Sequence, residues 1–71
     1  MTLQQIKYVI GVAENGSLNK ASEKLFISQP SLTASIHDTE EELGFQIFKR
    51  SSRGAVVTEQ GERFVTDARR V

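Results

Sequence analysis

Seventy-one residues make one domain, and at that size only roughly 60% of the unfolded surface is buried, so the core is small and a partner or a longer parent chain is expected to add to it. With 9 Lys+Arg against 9 Asp+Glu and one histidine, the formal net charge is zero, which argues against holding nucleic acid by bulk electrostatics. The chain lacks cysteine, an apolar run of about 18 residues and a basic-then-apolar N-terminus; a disulfide framework, a thiolate metal site and a membrane span are excluded, and a soluble, cytoplasmic protein is expected.

Thr2 and Gln5 have the spacing of a capping box, which starts a first helix almost at the N-terminus. Leu3, Ile6, Val9, Ile10 and Ala13 recur at three- and four-residue steps and predict its buried stripe, and Asn15 with Gly16 stops it. Next come Leu18, Ala21 and Leu25, a shorter apolar set on a segment that Asn19 is placed to cap, with Ala21 small enough for a close crossing. Only Phe26, Ile27 and Ser28 separate it from a third helix, the connection length of a helix-turn-helix. Such a connection also occurs in a plain αα-corner.

Ser28 is a capping residue, and Pro30 fits a first turn, where its missing N–H would have had no partner. Leu32, Ile36, Thr39 and Leu43 then fall on one inward face, and Gly44 ends the helix. The other face carries Gln29, Ser31, Thr33, Ala34, Ser35, His37 and Asp38, short or polar groups that allow the close approach of a helix docked in a major groove.

Beyond Gly44 the period changes. Ile47-Phe48 and Val56-Val57 are two β-favouring runs around Ser51, Ser52, Arg53 and Gly54, the composition of a hairpin, and a small hairpin after such a helix is a wing. Lys49 and Arg50 stand at its base and Arg53 at its tip, where a thin arginine-bearing loop suits the electronegative minor groove. The acids Asp38, Glu40, Glu41 and Glu42 precede this basic stretch, so the signs are segregated along a neutral chain; solvated surface of both signs is the alternative meaning of the same pattern. Thr58 caps a last helix, with Glu59 in its first turn and Phe64, Val65, Ala68 and Val71 on a thin stripe. Residue 71 is reached without a stop signal, so either a dimer seam on a helix that continues further or a terminal helix folded back on the domain is expected.

Catalysis fails by inventory. The single histidine, His37, has Asp38 and Ser35 at separations that point to other sides of a helix, the Glu40–Glu42 run lacks the interleaved oxygens of a calcium loop and reads as a solvated acidic turn, and there is no glycine-rich phosphate cradle. The expected protein is not an enzyme and uses neither metal nor cofactor.

The order Ala21 to Leu25, Ser28-Gln29-Pro30-Ser31-Leu32-Thr33, Glu40-Glu41-Glu42-Leu43-Gly44, Ile47-Phe48-Lys49-Arg50 and Thr58-Glu59-Gln60-Gly61 resembles the N-terminal domain of LysR-type transcriptional regulators across essentially the whole chain. That resemblance implies a mainly α winged helix-turn-helix: three helices, a short two-stranded wing and a C-terminal linker helix. Residues 1–58 would form the DNA-binding domain and 59–71 the start of a linker and dimerisation helix, with a small-molecule effector domain further along and a homodimer or tetramer in the full-length protein. It further implies sequence-specific binding of double-stranded DNA, with residues 29–43 in the major groove and the wing, 49–54, at the minor groove or backbone. Gln29, Pro30, Thr33 and Ala34 would meet base edges; Ser28, Ser31, Ser35 and His37 would meet the backbone, and Lys49, Arg50 and Arg53 would act from the wing.

Three departures from the family's pattern are informative. Ala34 stands where a long, often basic residue is common, His37 and Asp38 where basic residues are frequent, and Thr39 replaces a leucine on the inner face. The electrostatic share of binding should therefore be low and its salt dependence shallow. The competing expectation is a winged-helix protein-interaction module, which zero net charge would suit; a docking face for protein should carry large apolar anchors, and residues 29–38 carry small polar ones.

Overall fold

A computed structural model describes residues 1–51 and 54–70. Four helices and a hairpin follow in order: α1 (Leu3–Asn15), α2 (Leu18–Leu25), α3 (Gln29–Leu43), β1 (Phe48–Ser51), β2 (Gly54–Val57) and α4 (Glu59–Arg69). Each helix starts where a side-chain oxygen accepts one of its free N–H groups. Thr2 accepts the Gln5 N–H and Gln5 accepts that of Thr2, a complete capping box; Ser28 accepts the Ser31 N–H, and Thr58 that of Gly61. For α2 the cap is Ser17, which accepts the Lys20 N–H, and the expectation of an Asn19 cap is corrected: Leu18 and Asn19 already lie inside the helix. Ser17 has the same chemistry and stands beside the Gly16 stop, so the earlier start needs no connecting residues.

The core is Val9, Val12, Ala21, Leu32, Ile36, Ile47 and Val65, with Thr39 also fully buried. Leu3, expected in the α1 stripe, is 66% exposed, because the first residue of the helix lies beyond the elements that cover it. Val12 and Gly11 are buried instead. At Gly11 α1 and α2 approach closely, since a Cβ there would meet Leu25 Cδ1 at 2.9 Å. Together with buried Ala21 it sets how closely the two helices cross.

The turn from α2 into α3 is made by Phe26, the one non-glycine residue at positive φ among those described, with φ 57 and a side chain 96% exposed. A left-handed phenylalanine costs about 1–2 kcal/mol, a strain that the connection imposes. Its reward is local: the Ile27 N–H donates back to the Ser22 carbonyl at 3.1 Å, closing the turn.

The wing is antiparallel, in the register Phe48↔Val57, Lys49↔Val56, Arg50↔Ala55 and Ser51↔Gly54. Ile47, expected as a strand residue, precedes β1 and is a fully buried core side chain. Two contacts seat β2: the Ala55 N–H donates to the Gly16 carbonyl at 3.2 Å, and a Cβ on Gly54, which has φ 108, would come within 2.6 Å of that same oxygen. Position 54 must be glycine on both counts.

For the last helix either a dimer seam or a fold back on the domain was expected, and α4 does pack on the domain: Val65 is 4% exposed, α4 runs along α1, and Gly61 is so close to Ile47 that a Cβ would overlap its carbonyl oxygen. Of the expected stripe, Phe64 and Ala68 are half-buried, and Val71 lies outside the described residues. Among the described residues no helix is long and apolar enough to cross a membrane.

Candidate nucleic-acid interface

The inner face of α3 holds the helix rigidly, as expected: Leu32, Ile36 and Thr39 are buried and Leu43 is half-buried. The Thr39 hydroxyl, which replaces an apolar group, donates to the Ser35 carbonyl at 3.0 Å and so enters the core with its proton bonded. What faces outward is then fixed by rotation at about 100° per residue. Gln29, Pro30, Thr33, Ala34 and His37 line one open, shallow hollow on the surface.

The serines fare differently. Ser28 is engaged as the cap, its Oγ accepting the Ser31 N–H at 3.3 Å and donating to Ser31 Oγ at 2.9 Å. Exposed Ser31 and half-buried Ser35 sit on the flank of α3 turned away from Gln29 and Thr33, and neither lines that hollow. The structure thus brings the four base-edge candidates together with His37, while Ser31 and Ser35 stand apart from them.

On the other flank the wing meets the helix. Thr33, His37, Glu40, Lys49 and Arg50 share one hollow, and Arg50 also reaches a second, where Gln29 lies opposite Ser17 and Asn19 at the start of α2. Lys49 and Arg50 are exposed and form no ion pair within 4 Å among the described residues. Arg53, expected at the wing tip, lies outside the described residues.

The acids Glu40–Glu42 at the end of α3 were expected to be merely solvated. They lie in the last turn of the expected helix, and they are engaged. Glu41 is 3.4 Å from His37 Nε2, and Glu42 takes the N-terminal ammonium at 2.7 Å. Glu40 is half-buried and accepts the N–H groups of Ile47 at 2.7 Å and Phe48 at 3.2 Å. Sequence reasoning passed over Glu40 because a carboxylate in a run of three reads as surface, and its partners lie seven and eight residues on. Ser17 and Asn19 were missed as neighbours of Gln29 because the start of α2 was set two residues late. No group of three or more His, Cys, Asp or Glu is placed to hold a metal ion among the described residues.

Residues 3–62 match the family described as bacterial regulatory helix-turn-helix protein, lysR family. The HTH-type transcriptional regulator TfdS of Cupriavidus pinatubonensis is 42% identical over 71 residues, all of this chain and 24% of that protein. The chain spans about a quarter of the length of most of the relatives it matches. Among solved structures, the CbnR DNA-binding domain in complex with DNA superposes with a TM-score of 0.93 at 41% identity, covering 99% of this chain and 80% of that one. The BenM DNA-binding domain in complex with the catB site 1 DNA gives 0.94 at 40% identity, covering 99% and 79%. Capped helices, a three-residue turn, a wing seated on the α1–α2 turn and this match over most of the chain lead to one conclusion: the protein belongs to the LysR family of bacterial helix-turn-helix regulators.

Proposed function

We propose that this chain is the DNA-reading domain of a LysR-type transcriptional regulator and binds double-stranded DNA sequence-specifically. The observation that carries the reading is the hollow of Gln29, Pro30, Thr33, Ala34 and His37, small enough for close approach and flanked by the exposed cations Lys49 and Arg50. In that role α3 enters the major groove. Gln29 is suited to the N6/N7 edge of adenine, and Thr33, Pro30 and Ala34 offer methyl and methylene contacts of the kind thymine accepts. The wing lies over the minor groove or the backbone, and the Arg53 of its sequence is proposed to contact DNA there. Ser28, Ser31 and Ser35, with His37, are the proposed polar contacts to the backbone.

The relatives' greater length supports a longer regulator in the cytoplasm, with α4 continuing as a linker helix through which two or four copies assemble and with a small-molecule effector domain beyond it. Paired domains then require half-sites separated by whole helical turns, roughly 34–36 Å or a multiple. A docking role for protein finds no support on this face, which bears no large aromatic or aliphatic anchor.

An amide chemical-shift titration with a short duplex of random sequence, at about 50 mM and then about 200 mM salt, tests the reading. Shifts should concentrate on residues 28–37 and on the wing and shrink at the higher salt. No shifts at either salt would overturn DNA binding by the isolated chain.

A further inference from the structure

Glu40 stands on the flank of α3 that faces the wing, and a single oxygen, Oε2, accepts both the Ile47 N–H at 2.7 Å and the Phe48 N–H at 3.2 Å. Bonds to an ionised acceptor are stronger than neutral ones, and this carboxylate is half-buried beside its donors. These bonds join α3 to the main chain at the start of the hairpin. The other ties run elsewhere. The Thr58 hydroxyl donates to the Gln46 carbonyl at 2.6 Å and the Thr58 N–H to the Ile47 carbonyl at 2.8 Å, while the Ala55 N–H holds β2 to the α1–α2 turn.

Glu40 shares its hollow with Lys49 and Arg50, yet among the described residues it pairs with neither cation. Its charge is spent on the main chain immediately before them, so it fixes where the strand leaves α3 without neutralising the side chains that follow. We propose that Glu40 is a positioning residue for DNA binding: by clamping the Ile47 and Phe48 amides it sets the distance between the reading helix and the wing, so that Lys49 and Arg50 reach phosphates flanking the bases met by Gln29 and Thr33. The proposal rests on the DNA-reading function above.

The test is a double-mutant cycle on the 71-residue chain, with affinity for a random-sequence duplex measured across about 50 to 200 mM salt. Each phosphate contact contributes about 0.9 to the slope of log K against log salt, so Lys49→Ala with Arg50→Ala should flatten the wild-type slope by about 1.8. Glu40→Ala should flatten it nearly as much with both cations still present, and adding the two wing substitutions to Glu40→Ala should then change affinity by less than twofold. Glu40→Gln keeps an acceptor oxygen and should retain most of the slope. A wild-type slope in Glu40→Ala, or the same fold-loss from the wing substitutions in both backgrounds, would reduce Glu40 to a stabilising role and overturn the proposal. If Glu40→Ala does not fold, Glu40→Asp decides: one methylene shorter, it withdraws the carboxylate from the two amides, so a flattened slope with the Ile47 and Phe48 amide shifts moved supports the clamp, and a wild-type slope overturns it. Wild type failing to bind at the lower salt would remove the DNA-reading function itself, a result distinct from wild type binding with an additive cycle, which removes only the role of Glu40.

Discussion

Helix α3 and the wing lie side by side with opposite electrostatics. Asp38, Glu40, Glu41 and Glu42 give α3 four acids, and it has no lysine or arginine; the stretch 48–54 holds Lys49, Arg50 and Arg53 and no acid. In the proposed role a helix of that charge draws little Coulombic attraction from the phosphates through which most nonspecific affinity arises, and its proposed contribution is shape and hydrogen bonding, with Gln29 and Thr33 as the readers. The wing is the reverse, short on side chains that discriminate bases and supplied with charge. The proposal thereby assigns specificity and affinity to different elements, and each can be altered while the other is watched.

The largest effect should come from the foundation the two share. Leu32 is fully buried under α3, and Leu32→Ala removes a side chain whose loss at such sites costs about 2–5 kcal/mol, a large part of a small domain's stability. Thermal unfolding by circular dichroism should show the midpoint lowered by at least about 10 °C, with binding lost for every duplex alike. Retained stability would mean that α3 is held by contacts other than its inner face.

Gln29→Ala should separate the two elements. Loss of a bidentate pair with adenine costs about 1–3 kcal/mol, so affinity for a selected operator should drop by roughly five- to 160-fold, with little change on random duplex and none in salt slope. Equal loss on both duplexes would place Gln29 at the backbone. Arg50→Ala is the mirror experiment and should be milder on the operator: affinity falls evenly on operator and random duplex, and the salt slope becomes shallower by about 1. If Arg50→Ala instead changes which operator is selected, the division between a reading helix and an anchoring wing fails.

The two elements also differ in how far they could be read from sequence. For α3 every determinant is local: a Ser28 cap, Pro30 in the first turn, inward residues at helical spacing and a Gly44 stop with φ 82. Its outward face follows by rotation, which is why Gln29, Pro30, Thr33, Ala34 and His37 were found together. Rotation also explains why Ser35 lies apart from that hollow: it is a half-buried flank position, which looks fully outward in a list of letters. The wing's existence was legible from Val56-Val57 and Gly54, but its seating was not. The Gly16 carbonyl meets Ala55, Glu40 meets Ile47 and Phe48, and Gly61 abuts Ile47, all pairings between residues 7 to 39 apart that no short window contains. Gly11 and Gly61 carried the same hidden information: a glycine inside a helix reads as a weakness until the neighbour that needs the space is known.

The smallest effect is expected at Thr39, where this chain has a hydroxyl in the core. Removing it as Thr39→Val keeps the volume and takes away a donor whose partner, the Ser35 carbonyl, also lies within reach of the α-helical ladder, so no acceptor is left orphaned. Back-bonding of a threonine to the carbonyl four residues earlier slightly destabilises and bends a helix, so the change should be neutral or stabilising, by less than about 1 kcal/mol in urea unfolding. The hydroxyl faces away from the hollow of Gln29 and Thr33, and affinity for operator and random duplex should both stay within twofold. A loss of stability above about 1 kcal/mol would show that the hydroxyl is needed by the core. A changed operator preference at unchanged stability would be more telling, because it would mean that the Thr39 back-bond reaches the reading face through the helix, and the inner and outer sides of α3 could no longer be treated as independent.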